Sequence, residues 1–295
     1  MNEMNKEICK KDQRREKARK FIKTMFSRKM VIVAATGVVI FILLAIFAGI
    51  ITPYNPNTTS PYETFQKPSA THWLGTDDYG RDILTRLIYG ARVSLIVGVL
   101  AVVIACVIGV FLGLCAAYFG GIVDTVIMRL SEALMSIPRI MVALALIAII
   151  GSSISDLAIV LAIPTIPGYI RMIRGQALSL KTSDYVRAVE LQGANSFYVM
   201  LKHILPNAIS PIIVMMTQQV GSTILMESGL SYVGIGISIP IASWGTMVSN
   251  GKNYLLNQPI LAIAPGVCVA LLVICLNVLG DGIRDALDPR LRGEI

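Results

Sequence analysis

Residues 94–118 read SLIVGVLAVVIACVIGVFLGLCAAY, and the charge-free stretch around them extends over residues 93–123. A helix of about 20 apolar residues crosses a hydrocarbon layer about 30 Å thick, so this stretch is long enough to span a membrane. Gly109 and Gly113 form a GxxxG pattern within it, which favours close packing against another helix. The stretch predicts an integral membrane protein.

The composition of the whole chain agrees with this prediction. Of its 295 residues, 55% are hydrophobic and 15% are charged, whereas soluble proteins average about 25% charged residues. A chain this apolar cannot cover its core with polar surface, which excludes a soluble monomer. Intrinsic disorder is excluded as well, because disordered chains have low hydrophobicity.

Six membrane spans are expected, near residues 30–51, 94–118, 136–151, 155–172, 208–230 and 258–280. The third and fourth are short, and the turn at residues 151–153 predicts that they form a helical hairpin. Arg139 and Arg171 would then lie on the same side of the membrane, with their side chains reaching toward the same interface. Pro164 and Pro167 are expected to kink the second helix of the hairpin.

The distribution of Lys and Arg predicts the orientation of these spans. Residues 1–29 carry eleven of the 26 Lys and Arg residues and four acidic residues. If both termini lie inside, the inner segments carry 21 of the 26 cationic residues, in accord with the positive-inside rule. We therefore expect a basic cytoplasmic tail at residues 1–29 that touches anionic lipid, and a transmembrane domain at residues 30–295.

Several residues are expected at the outer side of the membrane. Arg86 and Arg92 lie close to the outer end of the second span, and the apolar stripe at residues 83–88 beside them is consistent with a separate interfacial helix. Trp73 and Trp244 are consistent with interfacial anchoring, or with docking of a substrate-binding protein.

The inner segment at residues 173–207 has the composition of two short helices joined by a turn. Asp184 can cap a helix that runs to about Gln192, and Gly193 can supply the left-handed residue after it. Asn195 or Ser196 can cap a second helix that closes at Pro206. Apolar side chains would remain exposed on this segment: Val186, Val189, Leu191, Phe197, Tyr198 and Leu201. Physical chemistry alone leaves two interpretations, namely docking into a groove on a partner protein or a connector packed against its own bundle.

The stretch AVELQGANSFYVMLKHILP at residues 188–206 resembles the loop shared by permease subunits of ABC importers. Ala188, Gly193, Leu205 and Pro206 match the pattern of that loop, whereas Arg187, Val189 and His203 depart from it at unchanged spacing. The resemblance implies that residues 184–206 couple the membrane domain to an ATPase. The residues it implicates are Asp184, Arg187, Ala188, Glu190, Gly193, Ala194, His203, Leu205 and Pro206.

Four further segments extend the resemblance, at residues 72–95, 167–188, 227–247 and 277–292. They are similar to dipeptide and oligopeptide permeases, in particular to the second type of subunit with a long basic N-terminal tail. The resemblance implies an all-α membrane protein with six transmembrane helices, the type I importer architecture and a cytoplasmic coupling helix. It also implies a bacterial inner membrane location, with both termini cytoplasmic.

The partners implied are a homologous second permease subunit, two ATP-binding subunits, an extracellular substrate-binding protein and membrane lipid, with no nucleic acid. Nickel and glutathione importers share these motifs, so nickel or another small solute is an alternative to short peptides. A secondary transporter is a further alternative, but it predicts ionisable groups at mid-membrane and inverted repeats.

The chain is not expected to be an enzyme. The nearest Walker A candidate, Gly245 to Lys252, has five residues between its glycines where four are required, and Asn253 replaces Ser or Thr. No catalytic residue, cofactor site or metal site is predicted in this chain, and ATP and Mg²⁺ would be used by the partner ATPase subunits. Two acidic clusters, Asp77, Asp78 and Asp82 and then Asp281, Asp285 and Asp288, are interpreted as solvated faces or inter-subunit salt bridges. Glu227 ends an apolar run, where it could neutralise a nearby Arg or Lys or contact the substrate, and a structural role is expected.

Overall fold

The computed structural model describes Arg19, Ile22, residues 24–238 and residues 240–287. These parts of the chain are helical, apart from connecting loops and one isolated β-bridge between Thr76 and Asp82. The helices are α1 (Lys29–Ile51), α2 (Ile83–Phe119), α3 (Gly121–Met135), α4 (Arg139–Ile150), α5 (Ile154–Ala162), α6 (Ile166–Lys181), α7 (Asp184–Leu191), α8 (Ser196–Val199), α9 (Leu205–Tyr232), α10 (Trp244–Gly251) and α11 (Ile260–Leu287).

The lengths of these helices confirm the all-α membrane fold. Five helical segments are long and apolar enough to cross a membrane: Lys29–Ile51, Ile83–Phe119, Ile154–Lys181, Ser196–Tyr232 and Ile260–Leu287. The helices α3 and α4 would together make a sixth span, but they are bent by 94° relative to each other. The bend falls at Pro138, which has no N–H to continue α3 and restricts the residue before it.

The prediction of a separate interfacial helix at residues 83–88 is wrong, because these residues form the first turns of α2. Ile83, Leu87 and Ile88 are buried, and the first two belong to an apolar cluster with Trp244 and Leu261. Arg86 is buried too, and it donates a 2.7 Å hydrogen bond to the carbonyl of Pro56. Its Nε lies 3.6 Å from a carboxylate oxygen of Asp77. The outer loop thus compensates the positive charge of Arg86, so α2 can run continuously through this position.

The long helix α2 packs closely on α6 through its two glycines. A Cβ added to Gly109 would lie 2.5 Å from the Cβ of Tyr169, and one added to Gly113 would overlap the side chain of Ile173. Any larger residue would push the two helices apart. The predicted use of the GxxxG pattern for close helix approach is therefore confirmed.

The hairpin formed by α4 and α5 turns where the sequence predicted. Gly151 ends α4 with a φ of +116°, and Ser153 forms a capping box with Asp156 at the start of α5. Arg139 donates to Thr165 Oγ1 at 2.9 Å and to the carbonyl of Pro164 at 3.3 Å. Its guanidinium thus binds the second arm of the hairpin instead of only reaching toward the membrane surface. That arm passes through a 3-10 turn at Ile163–Thr165, where Pro164 interrupts the α-helical pattern.

The two tryptophans that are expected on the outer side have different environments. Trp244 is 1% exposed, donates its indole N–H to the carbonyl of Leu87 at 2.8 Å and packs edge-on against Phe41. The prediction that Trp244 anchors the protein at the interface or docks a partner is therefore wrong, since α10 packs against α9, α11 and α2. Trp73 is 72% exposed, as an anchoring or docking side chain would be.

The acidic cluster of the outer loop is neutralised within the chain. Asp77 pairs with Arg81 at 2.7 Å, and Asp82 accepts from His72 at 2.9 Å and from the backbone N–H of Thr85 at 2.7 Å. Because Asp77 and Asp82 are buried, the interpretation of this cluster as a solvated face or an inter-subunit bridge is wrong. In the second cluster Asp285 pairs with Arg28 at 2.8 Å, and Asp288 lies outside the described residues.

Candidate functional site

The candidate site is the segment Asp184–Pro206 at one end of the bundle, here called the elbow. It consists of α7, a turn at Gly193 and α8, and it connects α6 to α9. The helix α6 continues to Lys181, so the first part of the expected 173–207 loop belongs to a spanning helix. The elbow thus directly connects two membrane-spanning helical segments, one ending with α6 and the other continuing as α9.

The turn of the elbow forms as predicted, with one change at its start. Gly193 has a φ of +78°, the left-handed conformation that suits glycine. The side chain of Asn195 accepts a hydrogen bond from the backbone N–H of Phe197 at 2.9 Å and so caps α8. Asp184 does not cap α7, because Ser183 occupies the N-cap position. As the first residue of the helix, Asp184 still places a negative charge at its positive end.

The second helix of the elbow does not close at Pro206 as predicted. The chain passes from α8 through a π-helical turn at Met200–Ile204 into α9, as one helical segment from Ser196 to Tyr232. In the π-helical turn the N–H of Leu205 donates to the carbonyl of Met200. Pro206 has no N–H, so it fits the change of hydrogen-bond pattern from π-helix to α-helix. The elbow and the span α9 therefore form one mechanical unit.

One side of the elbow is part of the hydrophobic core. Val186 and Val199 are completely buried, and Met200 and Ile204 are nearly so. They belong to the same apolar cluster as side chains from α6 and α2, namely Ile173, Ala177, Leu114 and Ala117. Burying a side chain of this size contributes about 1.5–3 kcal/mol. This side therefore holds the elbow firmly against the bundle and excludes a freely moving connector.

The opposite side of the elbow exposes apolar side chains. Leu191 is 89% exposed at the tip, and four aromatic or aliphatic side chains are about half exposed: Tyr185, Phe197, Tyr198 and Leu201. Exposed apolar patches of this kind often mark protein–protein contacts. The predicted coupling residues divide between exposed positions (Asp184, Arg187, Ala188, Gly193 and Pro206) and partly buried ones (Glu190, Ala194, His203 and Leu205).

Polar contacts that the sequence analysis missed fasten the elbow and its supporting helices. Lys181 donates to the carbonyl of Tyr118, near the end of α2, at 2.5 Å. Arg174 of α6 binds both carboxylate oxygens of Asp124 of α3, at 2.5 and 2.6 Å. Bidentate pairs of this kind fix geometry as well as charge. The partners are at least 50 residues apart in the sequence, and no local pattern relates them.

Glu227 lies at the other end of α9 and is completely buried. The hydroxyl groups of Ser231 and Ser94 donate to its carboxylate at 3.0 and 3.3 Å. Its hydrogen-bond donors among the described residues are serine hydroxyls, and the prediction of a neutralising Arg or Lys is wrong. The structural role expected for Glu227 agrees with these contacts, since they join α9 to α2.

These observations define a class of protein: a helical membrane protein with a rigid elbow at one end of the bundle that exposes apolar side chains. The chain belongs to the family of binding-protein-dependent transport system inner membrane components, which it matches over residues 105–293. Residues 18–68 match the N-terminal transmembrane domain of oligopeptide transport permease C. The resemblance to permease subunits of ABC importers is thereby confirmed, and the chain is such a subunit.

The similar proteins are transport system permeases, and each match covers most of both chains. The chain is 39% identical to the dipeptide transport system permease protein DppC of Alkalihalophilus pseudofirmus, over 93% of this chain and 90% of that protein. It is 36% identical to the glutathione transport system permease protein GsiD of Pectobacterium atrosepticum, over 93% and 91%. It is 38% identical to the probable D,D-dipeptide transport system permease protein DdpC of Escherichia coli, over 90% and 89%.

The fold is similar to that of a solved transporter. A chain of the MetNI methionine ABC transporter, in an inward-facing conformation, superposes with a TM-score of 0.56 at 19% identity. The superposition covers 70% of this chain and 98% of that chain. The two proteins share the architecture of the membrane domain.

Proposed function

We propose that this permease subunit imports short peptides and that its elbow transmits the movement of an ATPase subunit to the membrane spans. The observation that carries the proposal is the two-sided elbow, buried on one side in the core of α2 and α6 and exposing apolar side chains on the other. The similarity to dipeptide, glutathione and D,D-dipeptide permeases supports peptides as the solute class. These three solute types share peptide bonds and charged groups.

The mechanism requires partners that the family description supports. A homologous permease subunit would form the second half of the pathway, two ATP-binding subunits would hydrolyse ATP with Mg²⁺, and an extracellular binding protein would deliver the solute. When the ATPase subunits approach each other, they would push on the elbow from the cytoplasmic side. Because α6 leads into the elbow and α9 continues out of it, both spans would tilt with it.

The charge distribution supports a cytoplasmic location for the elbow and both termini in a bacterial inner membrane. The tail at residues 1–29 carries eleven Lys and Arg residues, and the segments on the elbow side hold 21 of the 26 in the chain. The same tail would contact anionic lipid headgroups at that surface.

Two leucines at opposite ends of the molecule test the coupling role. Leu191 at the elbow tip is 89% exposed, and Leu256 near the start of α11 is 99% exposed. Leu191→Asp should reduce co-purification of the ATPase subunits about tenfold, because loss of a central apolar contact costs about 1–2 kcal/mol or more. Leu256→Asp introduces the same charge and should leave co-purification unchanged.

Equal ATPase recovery with both variants would contradict coupling through the elbow. The solute class is tested separately, by the uptake of radiolabelled dipeptide and of Ni²⁺ into proteoliposomes that hold the complete importer. Peptide uptake is expected, and uptake of Ni²⁺ without peptide uptake would contradict the proposed solute.

A further inference from the structure

The spanning helix α9 is exposed on two different sides, and the two sides differ in polarity. One side lines an open groove of about 750 Å³ together with α1 and α2. The lining of this groove is largely apolar, with Val38, Ile42, Val99 and Val220 among its residues. Thr217 is the α9 residue there with a hydroxyl group, and it donates to the carbonyl of Ile213 in its own helix. This side suits lipid chains.

The other exposed side of α9 carries polar groups, which continue onto α11. Gln218 donates its side-chain amide to the carboxylate of Asp281 at 3.2 Å. Ser222 is exposed one turn further along α9, and Asn277 is exposed one turn before Asp281 on α11. We call these four residues the polar side. The side chain of Asn277 lies at the same seam, since its Oδ1 is 3.6 Å from the Cβ position of Gly221.

Gln218 is half-buried, whereas Ser222 and Asn277 are exposed, and their positions along the spans make that exposure significant. Ser222 lies 10 residues from Tyr232, the end of α9, and Asn277 lies 17 residues from Ile260, the start of α11, which are about 15 and 26 Å at 1.5 Å per residue. With a hydrocarbon layer about 30 Å thick, both depths are inside the membrane. A polar side chain that faces lipid at such a depth is costly, so these groups face water or a polar partner in the assembled protein.

The carboxylate of Asp281 distinguishes the polar side from a neutral seam between helices. Its neighbour Asp285 is paired with Arg28 at 2.8 Å, whereas Asp281 accepts from the neutral amide of Gln218. Asp281 therefore brings a carboxylate to the inner end of the polar side, and the exposed Arg284 lies three residues further along α11. A solute with an ammonium group, such as a peptide with a free amino terminus, would be attracted there.

We propose that the polar side is a wall of the water-filled solute pathway and that Asp281 gives this wall a preference for cationic groups. The inference rests on the proposed import function, because it identifies where the solute crosses. It distinguishes two neighbouring residues on α9, with Gln218 facing the pathway and Thr217 facing the apolar groove.

Cysteine labelling in the assembled importer tests the first part. Gln218→Cys and Ser222→Cys should react with a small water-soluble methanethiosulfonate reagent, and Thr217→Cys should react at least about tenfold more slowly, because the thiolate forms only in water. Mass spectrometry of the labelled peptide identifies the reacting position, so the native cysteines can remain. Labelling is measured in the nucleotide-free and the nucleotide-trapped importer, since the pathway opens to different sides in the two states.

The charge of the reagent tests the second part. At Gln218→Cys a cationic methanethiosulfonate should react faster than an anionic one by about fivefold beyond their ratio on a free thiol, since a nearby carboxylate attracts one and repels the other. The additional substitution Asp281→Asn should abolish this preference while leaving the labelled position accessible.

Two results would overturn the inference. If Gln218→Cys is unreactive in both states, the polar side is packed against the second permease subunit instead. If the charge preference survives Asp281→Asn, the carboxylate does not set the local potential. Peptide uptake by the unsubstituted importer is measured in the same preparation, so a failure of the proposed function is seen independently of either result.

Discussion

At the scale of single residues, Gly193 shows how backbone conformation limits the elbow. Its φ is +78°, and no atom beyond its chain neighbours lies within 4 Å of a Cβ placed there. Substitution is thus limited by the backbone and not by a clash. A β-branched residue in this conformation costs about 1–2 kcal/mol or more, whereas Asn tolerates it.

We expect Gly193→Val to reduce peptide uptake at least about fivefold, because the strained turn changes the angle between α7 and α8. Gly193→Asn should import nearly as well as the unsubstituted protein. Uptake into proteoliposomes and ATP hydrolysis by the same complexes are the measurements. Full import by both variants would show that the turn geometry does not matter for coupling.

Asp78 gives a prediction on pH in the outer loop. Partial burial, with a smaller contribution from the neighbouring charge of Asp77, raises the pKa of its carboxyl above the ordinary value of 3.8, although Arg81 opposes the shift. When the pKa of a carboxyl is raised in the folded state, the folded protein loses stability as the pH rises from the ordinary pKa of that carboxyl through its raised pKa. Asp78→Asn should therefore raise the thermal unfolding midpoint at pH 7, and this gain should shrink as the pH falls toward 4.

The midpoint is measured in detergent between pH 4 and pH 8, with the unsubstituted protein at each pH as the reference. A gain that stays constant over this range would show that ionisation of Asp78 is not its source.

At the scale of elements, the contact between α2 and α6 determines how a movement of the elbow reaches the rest of the bundle. Gly113 of α2 leaves no room for a Cβ, which would overlap Ile173 and lie 2.7 Å from the carbonyl oxygen of Ile170. Gly175 of α6 faces open space. Both glycines lie inside helices, so they differ in packing and not in helical conformation.

Gly113→Ala should lower the stability of the protein by about 1–3 kcal/mol through overpacking. The matched substitution Gly175→Ala should raise it by about 0.5–1 kcal/mol, since alanine is the better helix former. Thermal unfolding midpoints in detergent distinguish the two. A loss of equal size at both positions would contradict close packing of α2 on α6.

At the scale of the whole molecule, the two ends of the bundle should face different compartments. The elbow, the end of α6 at Lys181 and both termini should lie on the cytoplasmic side, while the loops at residues 52–82 and 233–259 should lie outside. Leu256→Cys should therefore react with a membrane-impermeant thiol reagent in intact spheroplasts. Leu191→Cys should react only after the membrane is opened.

The two cysteines are equivalent controls for each other, because both leucines are almost fully exposed. Labelling of Leu191→Cys in intact spheroplasts would show that the topology is inverted. The elbow would then lie where a cytoplasmic ATPase cannot contact it.

The sequence by itself determined the membrane class, the presence of apolar spanning segments and the turn at Gly193. It did so because these properties are local: a run of about 20 apolar residues partitions into a membrane wherever it occurs, and a residue with positive φ favours glycine whatever surrounds it. The turn at residues 151–153 and the cap at Asn195 were predicted for the same reason.

Only the tertiary structure decided which residues meet across the bundle. The burial of Trp244 on Leu87, the neutralisation of Arg86 by the outer loop and the serine hydroxyls around Glu227 each join distant parts of the chain. The polar side of α9 exists only because helix packing brings Gln218 beside Asp281, 63 residues away. Such contacts depend on how the helices pack, and the hydrophobic pattern of one helix does not specify which polar group on another helix it will meet.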